Sequence, residues 1–245
     1  MSKKETFVAF GDNHGDKIDK ECEAGLLRFL DKYPCDHRIH LGDCFDLRSI
    51  RQGASGSEED EALDEDLDAG IDFIRKTAPT AFLYGNHEDR LHHIMSCSSR
   101  GTLKSYCKDL DSEIKSVLKQ HGCRKIYDYH AEDGVHRLKK ITFVHGYTCG
   151  RDAVEVHAKH YAQPGGALIM GHLHSIQAVN AAKHGGAVGF SGGCLCKKSE
   201  MRYAKNRLAT SKWGSGWLYG FVQGNDWKVW QAHKVGKDFI VSTIV

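Results

Sequence analysis

The sequence predicts an α/β protein made of two packed β-sheets. Short apolar runs end abruptly at a glycine or a histidine, which is typical of buried strands. Segments with apolar residues at helical spacing lie between these runs and predict amphipathic helices. After residue 175 the chain turns to short, glycine-rich segments that resemble strands, which indicates a second, largely antiparallel sheet packed on the first.

The predicted elements follow in chain order. Five apolar runs are assigned to the first sheet, at 6–10, 38–41, 81–84, 141–144 and 167–170. Helical spacing predicts helices over 17–33, 63–74 and 103–118, and the acidic stretch 58–68 is interpreted as a solvated helix face. The second sheet is assigned the segments 176–179, 187–190, 217–222, 227–230 and 239–245.

Length and composition limit the class of protein. The 245 residues are enough for one large domain spanning 1–245, with helical insertions around 48–77 and 90–122. The formal net charge of +2 lacks the basic excess of a dedicated nucleic-acid binder. No apolar run reaches the roughly 18 residues of a membrane span, and the N-terminus has no signal-like segment. We therefore expect a cytoplasmic protein with no membrane partner, and the sequence leaves its oligomeric state open.

Nine cysteines are scattered without the spacing of a disulfide framework, so reduced thiols are predicted. A structural zinc site is the less favoured alternative, because the spacings match no standard zinc pattern. Its candidate ligands are His92, His93, Cys97, Cys107, His121 and Cys123.

Each of the five apolar runs is followed closely by residues suited to binding a metal ion. In chain order these motifs are Asp12-Asn13-His14, Asp43-Cys44-Phe45-Asp46, Asn86-His87-Glu88, His145 and His172-Leu173-His174. Carboxylate, imidazole and amide ligands together suit manganese, iron, nickel or zinc better than magnesium alone. The alternation in Asp12/His14 and in His172/His174 predicts two side chains on one side of an extended backbone. Because loops at strand ends converge on one edge of an α/β sheet, the motifs together predict a metal centre.

This series, DxH, GDxxD, GNHE, H and GHxH, resembles that of the calcineurin-like metallophosphoesterase superfamily in content and in order over residues 12–174. The resemblance implies a four-layer αββα sandwich of two mixed β-sheets flanked by helices. It also implies two divalent metal ions, with manganese favoured and iron, nickel or zinc as alternatives. One ion would be bound by Asp12, His14, Asp43 and His174, and the other by Asp43, Asn86, His145 and His172. The compact layout is similar to that of stand-alone phosphoesterases carried by bacteriophages.

The resemblance further implies hydrolysis of a phosphate ester by a metal-activated water. His87 would protonate the leaving oxygen as a general acid, and Asp46 would orient His87. Capping of its own loop is the alternative role for Asp46. Arg48, Arg51 and Arg90 either bind the phosphate through their guanidinium groups or are ordinary surface arginines.

The expected substrate is a phosphodiester or a nucleotide-type ester, with nucleic acid left open. A serine/threonine-type protein phosphatase is one alternative, although Leu47 stands where that branch carries an arginine. A DNA exonuclease is another, although the chain lacks the length of the usual capping regions. A catalytically silent metal-binding scaffold is disfavoured because all ligand positions and His87 are present. The basic run 197–212, with Tyr203 and Trp213 interleaved or adjacent, is either a surface that binds a nucleic-acid strand or a solvated loop.

Overall fold

The apolar runs of the sequence form strands of two β-sheets in a computed structural model that describes residues 2–54, 56, 61–97, 100–201 and 208–242. The strands are β1 (Glu5–Phe10), β2 (His37–His40), β3 (Ala81–Leu83), β4 (Lys125–Tyr127), β5 (His136–Leu138), β6 (Ile141–Val144), β7 (Gly166–Met170), β8 (Ile176–Ala181), β9 (Ala187–Gly192), β10 (Gly216–Gln223), β11 (Asp226–Val235) and β12 (Asp238–Ile240). The helices are α1 (Lys20–Lys32), α2 (Leu63–Thr77), α3 (Asp89–Cys97), α4 (Gly101–Gln120) and α5 (Ala153–Tyr161). The five runs assigned to the first sheet are confirmed as strands, namely β1, β2, β3, β6 and β7.

One sheet has seven strands and the other has five. The seven-stranded sheet has the order β12-β11-β10-β1-β2-β3-β4, in which β1 to β4 are parallel and β10 to β12 are antiparallel to their neighbours. The five-stranded sheet has the order β5-β6-β7-β9-β8, with a parallel centre and antiparallel edge strands. Both sheets are therefore mixed, as the resemblance implies.

The division of the strands between the two sheets differs from the prediction. β6 and β7 belong to the five-stranded sheet, whereas the C-terminal strands β10 to β12 extend the sheet of β1 to β4. β8 and β9 are the predicted second-sheet segments that do lie in the five-stranded sheet. An apolar run identifies a strand but not its neighbours, because pairing depends on side-chain packing between distant parts of the chain.

Alternation along β1 shows how the layers are built. Phe7 and Ala9 face the five-stranded sheet, and the ring of Phe7 makes an edge-to-face contact with Phe143 at 5.4 Å between ring centroids. Val8 and Phe10 point to the opposite face, which α1, α2 and α4 cover. Helix α5 covers the outer face of the five-stranded sheet. The order helix, sheet, sheet, helix confirms the predicted αββα sandwich.

Helix boundaries follow local signals. Helix α1 begins at Lys20 because the side chain of Asp19 caps it, accepting hydrogen bonds from the backbone N–H groups of Glu21 and Cys22. Helix α2 lies in the predicted insertion around 48–77, and α3 and α4 occupy the one around 90–122.

None of the helices in the described ranges is long and apolar enough to cross a membrane. All nine cysteines are free thiols, and Cys97 and Cys149 are the exposed ones. Within the described residues, the six candidates for a structural zinc site form no group of potential ligands.

Candidate metal centre

The motifs at the strand ends converge where the two sheets meet. β1, β2 and β3 of one sheet lead to Asp12, Asp43 and Asn86, and β6 and β7 of the other lead to His145 and His172. Backbone hydrogen bonds join the neighbouring loops, from Asp12 N to Gly42 O at 2.9 Å and from His14 N to Asp43 O at 3.0 Å. This edge of the sandwich thus brings together side chains that are far apart in the sequence, with 162 positions between Asp12 and His174.

The backbone at this edge is left-handed at several predicted ligands. Positive φ values occur at Asp12 (53°), His14 (52°), Asp43 (52°), His172 (68°) and His174 (55°). The expected extended backbone of the Asp12/His14 and His172/His174 pairs is therefore wrong. The turns place Asp12 and His14 in one group of potential ligands, whereas His172 and His174 belong to different groups. A non-glycine residue in a sparsely populated conformation costs about 1–3 kcal/mol, and such residues cluster at functional sites.

One group of potential ligands consists of Asp12, His14, Asp43 and His174, whose donor atoms all lie within 4.8 Å of one another. Nε2 of His14 is 3.1 Å from Nε2 of His174. Nε2 of His174 is in turn 3.2 Å from Oδ1 of Asp12. All four side chains are buried.

A second group consists of Asp43, His145 and His172, again with donor atoms within 4.8 Å. Nε2 of His145 lies 3.3 Å from Oδ2 of Asp43 and 3.1 Å from Oδ1 of Asn86. The structure therefore brings all seven predicted ligands together, and the carboxylate of Asp43 belongs to both groups.

The donor set fits divalent metal ions. Nδ1 of His145 donates a hydrogen bond to Leu41 O at 2.8 Å, which directs the lone pair of Nε2 towards the carboxylate of Asp43. Burial alone would lower the pKa of His145, but the carboxylate of Asp43 raises it to about 9. Burial would likewise lower the pKa of His174, but Cys194 and the carboxylate of Asp12 raise it to about 9. A bound cation would take the place of these protons, since metal ligands must be deprotonated.

His87 lies beside this centre with Asp46 behind it. Nδ1 of His87 is 2.6 Å from Oδ1 of Asp46 and 3.0 Å from Asp46 O, while Nε2 is 3.8 Å from Oδ2 of Asp43. Burial would lower the pKa of His87, but Asp43 and Asp46 raise it above its ordinary value. Oδ1 of Asp46 also lies 3.4 Å from Nδ1 of His14. Asp46 therefore contacts both the candidate acid and a candidate metal ligand.

The three arginines occupy different positions. The guanidinium of Arg48 contacts carboxylates of Asp16, Asp46 and Glu61, which favours a role in holding Asp46 over binding a phosphate. Arg90 donates to Asp46 O, and its Nη2 lies 3.3 Å from Nε2 of His87. Arg51 lines a cleft beside Asn86. Arg51 and Arg90 thus remain predicted phosphate-binding residues.

Glu88 has a role that the sequence motif does not reveal. Its buried carboxylate accepts hydrogen bonds from four backbone N–H groups, those of Asp43 (3.0 Å), Cys44 (2.6 Å), Phe45 (3.0 Å) and Gly85 (2.7 Å). Burial raises the pKa of Glu88 to about 6. Glu88 thereby joins the loop after β2 to the loop after β3 and fixes the backbone that carries Asp43.

Asp66 departs from the predicted solvated face of the acidic stretch 58–68. It is buried, and its carboxylate accepts hydrogen bonds from the backbone N–H groups of Asp46 at 2.9 Å and Leu47 at 2.5 Å. Burial raises its pKa to about 6. A pattern of acids along a helix does not show which one turns inwards, because that depends on a loop nearly 20 residues earlier.

His40 and Asn13 form a further buried support. Nδ1 of His40 accepts a hydrogen bond from Gly42 N at 3.1 Å, and Nε2 donates to Oδ1 of Asn13 at 2.9 Å. Burial lowers the pKa of His40 to about 3, so the ring is neutral. Asn13 in turn donates to Cys44 O at 2.7 Å. This network connects the loops after β1 and β2 beneath the ligands.

Two cysteines also contact ligand histidines and were not among the predicted site residues. Sγ of Cys149 lies 3.0 Å from Nε2 of His172, and Sγ of Cys196 lies 3.9 Å from Nδ1 of His174. Their positions in the sequence carry no recognised spacing relative to the histidines, so only the fold reveals the contacts.

Two clefts adjoin the centre. The first, of about 620 Å³, has ligand residues on one wall and Arg151, Lys212 and Trp213 among its other lining residues. The second, of about 770 Å³, is lined by residues of α3 and of the segment after Arg48. Of the basic run 197–212, Arg202, Tyr203, Lys205 and Arg207 lie outside the described residues.

No family model and no curated protein sequence matches the chain. In structure the chain is similar to Vps29 from Entamoeba histolytica complexed with zinc, at 10% identity, 97% coverage of each chain and a TM-score of 0.49. It is also similar to Yfce, a phosphoesterase from E. coli, at 14% identity, with 91% of this chain and 96% of that chain covered and a TM-score of 0.42. A metallophosphoesterase from Sphaerobacter thermophilus is similar at 12% identity, with 90% and 84% covered and a TM-score of 0.43.

Proposed function

We propose that the protein is a calcineurin-like phosphoesterase that uses two divalent metal ions to hydrolyse a phosphodiester or a nucleotide-type ester. The observation that carries the proposal is the position of Asp43, whose carboxylate is common to both groups of potential ligands. A shared carboxylate suits two cations about 3.5–4 Å apart, the spacing at which two-metal enzymes clamp one phosphoryl group. Manganese is favoured, with iron, nickel and zinc as alternatives, because the donor set combines oxygen and imidazole nitrogen.

Each ion would have four protein ligands, with Asp43 common to both. Asp12, His14, Asp43 and His174 would hold one ion, and Asp43, Asn86, His145 and His172 the other. When bound, the ions would supply an activated water and neutralise charge on the phosphoryl oxygens.

The protein's own contribution to bond cleavage centres on His87. Its Nδ1 is held by Asp46, so Nε2 points towards Asp43 and the place where an ester oxygen would leave. The two carboxylates favour the protonated imidazole. His87 would therefore donate its Nε2 proton to the leaving oxygen, and Asp46 would keep the ring in that orientation. Arg90, whose Nη2 lies 3.3 Å from the same nitrogen, is placed to contact the phosphate beside it.

The test compares leaving groups. Metal-free protein is reloaded with manganese and assayed on phenyl and p-nitrophenyl phosphodiesters and on the matching monoesters. Loss of a general acid typically costs about 10²–10⁴ in rate. His87→Ala should approach that loss on the phenyl esters and lose much less on the p-nitrophenyl esters, because p-nitrophenolate leaves without protonation.

The matched control is His160→Ala, on the exposed side of α5, which should behave as the unaltered protein. Metal content is measured on every preparation. A protein that retains metal yet hydrolyses none of the esters refutes the proposed activity and supports the silent scaffold. Equal losses of His87→Ala on both leaving groups refute the role of His87.

A further inference from the structure

Two clefts with different walls meet at one residue of the metal centre. Asn86, a candidate metal ligand, lines both of them. A substrate with its phosphorus at the metal centre can therefore extend into two clefts. A phosphate monoester carries one organic group, whereas a diester carries two, so the two-sided arrangement suits a diester.

The first cleft carries cations and an aromatic ring. Arg151 and Lys212 are exposed residues on its walls. Trp213 also lines this cleft, and its ring makes an edge contact with the imidazole of His174 at 4.1 Å between centroids. Ile176, which is 36% exposed, adds an apolar surface. Cations beside a flat apolar surface favour a ligand that alternates phosphates with planar rings.

The second cleft is also basic. Arg51, Arg90 and Arg100 line it, together with one described carboxylate, that of Asp89. One face of α3 forms part of the wall, and Arg90 connects this cleft to the catalytic region through its contacts with Asp46 and His87. Three guanidinium groups are suited to binding further phosphates of the same ligand.

From these observations we infer that the substrate is a single-stranded nucleic acid whose backbone crosses the metal centre from one cleft into the other. The inference rests on the proposed function and specifies its substrate. Each cleft has the volume of a site for a drug-sized group, which corresponds to about one nucleotide. A duplex keeps its base faces stacked, so only a single strand can present them to Trp213. Nucleotides on both sides of the reacting phosphate mean that the strand is cut internally.

The experiment measures binding first. Manganese-loaded protein is titrated into a fluorescent phosphorothioate oligothymidylate of about 12 nucleotides, within the site sizes of single-strand binders. Anisotropy is followed over a range of salt concentrations. The same titrations use a duplex of equal length and a polyglutamate of equal charge. The oligothymidylate should bind most tightly, and its affinity should fall as salt rises.

Variants in each cleft test the path of the strand. Arg100→Ala and Lys212→Ala should each lower the salt slope by about 0.7, the value for one phosphate contact on a single strand. Trp213→Ala should weaken binding roughly 10-fold or more through lost stacking, and Trp213→Phe should restore part of it. Arg28→Ala, at an exposed position of α1 away from both clefts, is the matched control and should leave affinity and slope unchanged.

The small-ester assays on the same preparations separate the two proposals. Hydrolysis of small diesters without preferential binding of the oligothymidylate overturns the inference and leaves the proposed function standing. Equal binding of polyglutamate or of the duplex overturns it as well, as does full affinity in the variants of both clefts. Binding without hydrolysis of any ester supports the nucleic-acid path and refutes the proposed activity. With an unmodified labelled strand, products from internal positions are expected, and release of single nucleotides from one end alone contradicts internal cutting.

Discussion

Replacing Glu88 by glutamine removes one oxygen from the carboxylate that holds the metal-binding loops. Oε1 accepts from the N–H groups of Cys44 and Phe45, and Oε2 accepts from those of Asp43 and Gly85. A glutamine amide keeps one oxygen and presents an NH2 group in place of the other. Whichever way the amide is turned, two buried backbone donors then face a donor instead of an acceptor.

The number of lost hydrogen bonds determines how far the free energy of unfolding falls. Each buried polar group left without a partner costs about 1–3 kcal/mol, so Glu88→Gln should lower the free energy of unfolding by about 2–6 kcal/mol. Asp66→Asn provides a graded comparison, because each oxygen of Asp66 accepts one backbone N–H and the change disrupts one hydrogen bond instead of two. Asp66→Asn should therefore cost about half as much.

Urea denaturation of chelator-treated protein measures both changes without a contribution from bound metal. Glu132→Gln, the same substitution at an exposed position, is the control and should stay within about 0.5 kcal/mol of the unaltered protein. Because the Glu88 contacts fix the backbone at Asp43, Glu88→Gln should also weaken metal binding. A cost below about 1 kcal/mol, or a larger cost for Asp66→Asn, would refute the role assigned to Glu88.

Two further predictions concern groups behind the ligands. Cys149→Ala should weaken metal binding at the His145 and His172 position by about 10–100-fold, the usual effect of losing a contact to a ligand histidine. Cys97→Ala is the control, and equal metal titrations of the two variants would contradict the prediction. The folded-state pKa of His40 is lowered to about 3 from 6.5, so its stabilising effect is present above pH 6.5 and is lost as the pH falls towards 3. His40→Leu should flatten the pH dependence of unfolding in this interval by up to about 1.4 kcal/mol per pH unit, and an unchanged slope would refute the neutral buried ring.

The sequence predicted the candidate site better than it predicted the sheets. Asp12, Asp43 and Asn86 follow parallel neighbouring strands, whose carboxyl ends must lie at one edge, so local order was enough to bring them together. The placement of β10 beside β1 has no such local signal. It depends on a pairing between residues more than 200 positions apart, such as Glu5 with Val222.

The supports of the site were harder to predict than its ligands. Glu88 and Asp66 look like helix-associated acids in the sequence, and their acceptor roles depend on loops 20 to 45 residues away. Alternation in the sequence favours an extended strand at His14 and His172, whereas their backbone is left-handed. A local pattern reports which side chains are available, whereas backbone strain and buried hydrogen bonds arise from tertiary contacts.

Anomalous diffraction from manganese-loaded crystals shows most directly whether two ions share the carboxylate of Asp43. Two anomalous peaks are expected about 3.5–4 Å apart, one on each side of the Asp43 carboxylate, with His145 beside one peak and His174 beside the other. A single peak at this position, or peaks that do not contact Asp43, would contradict the binding of two ions by a shared carboxylate.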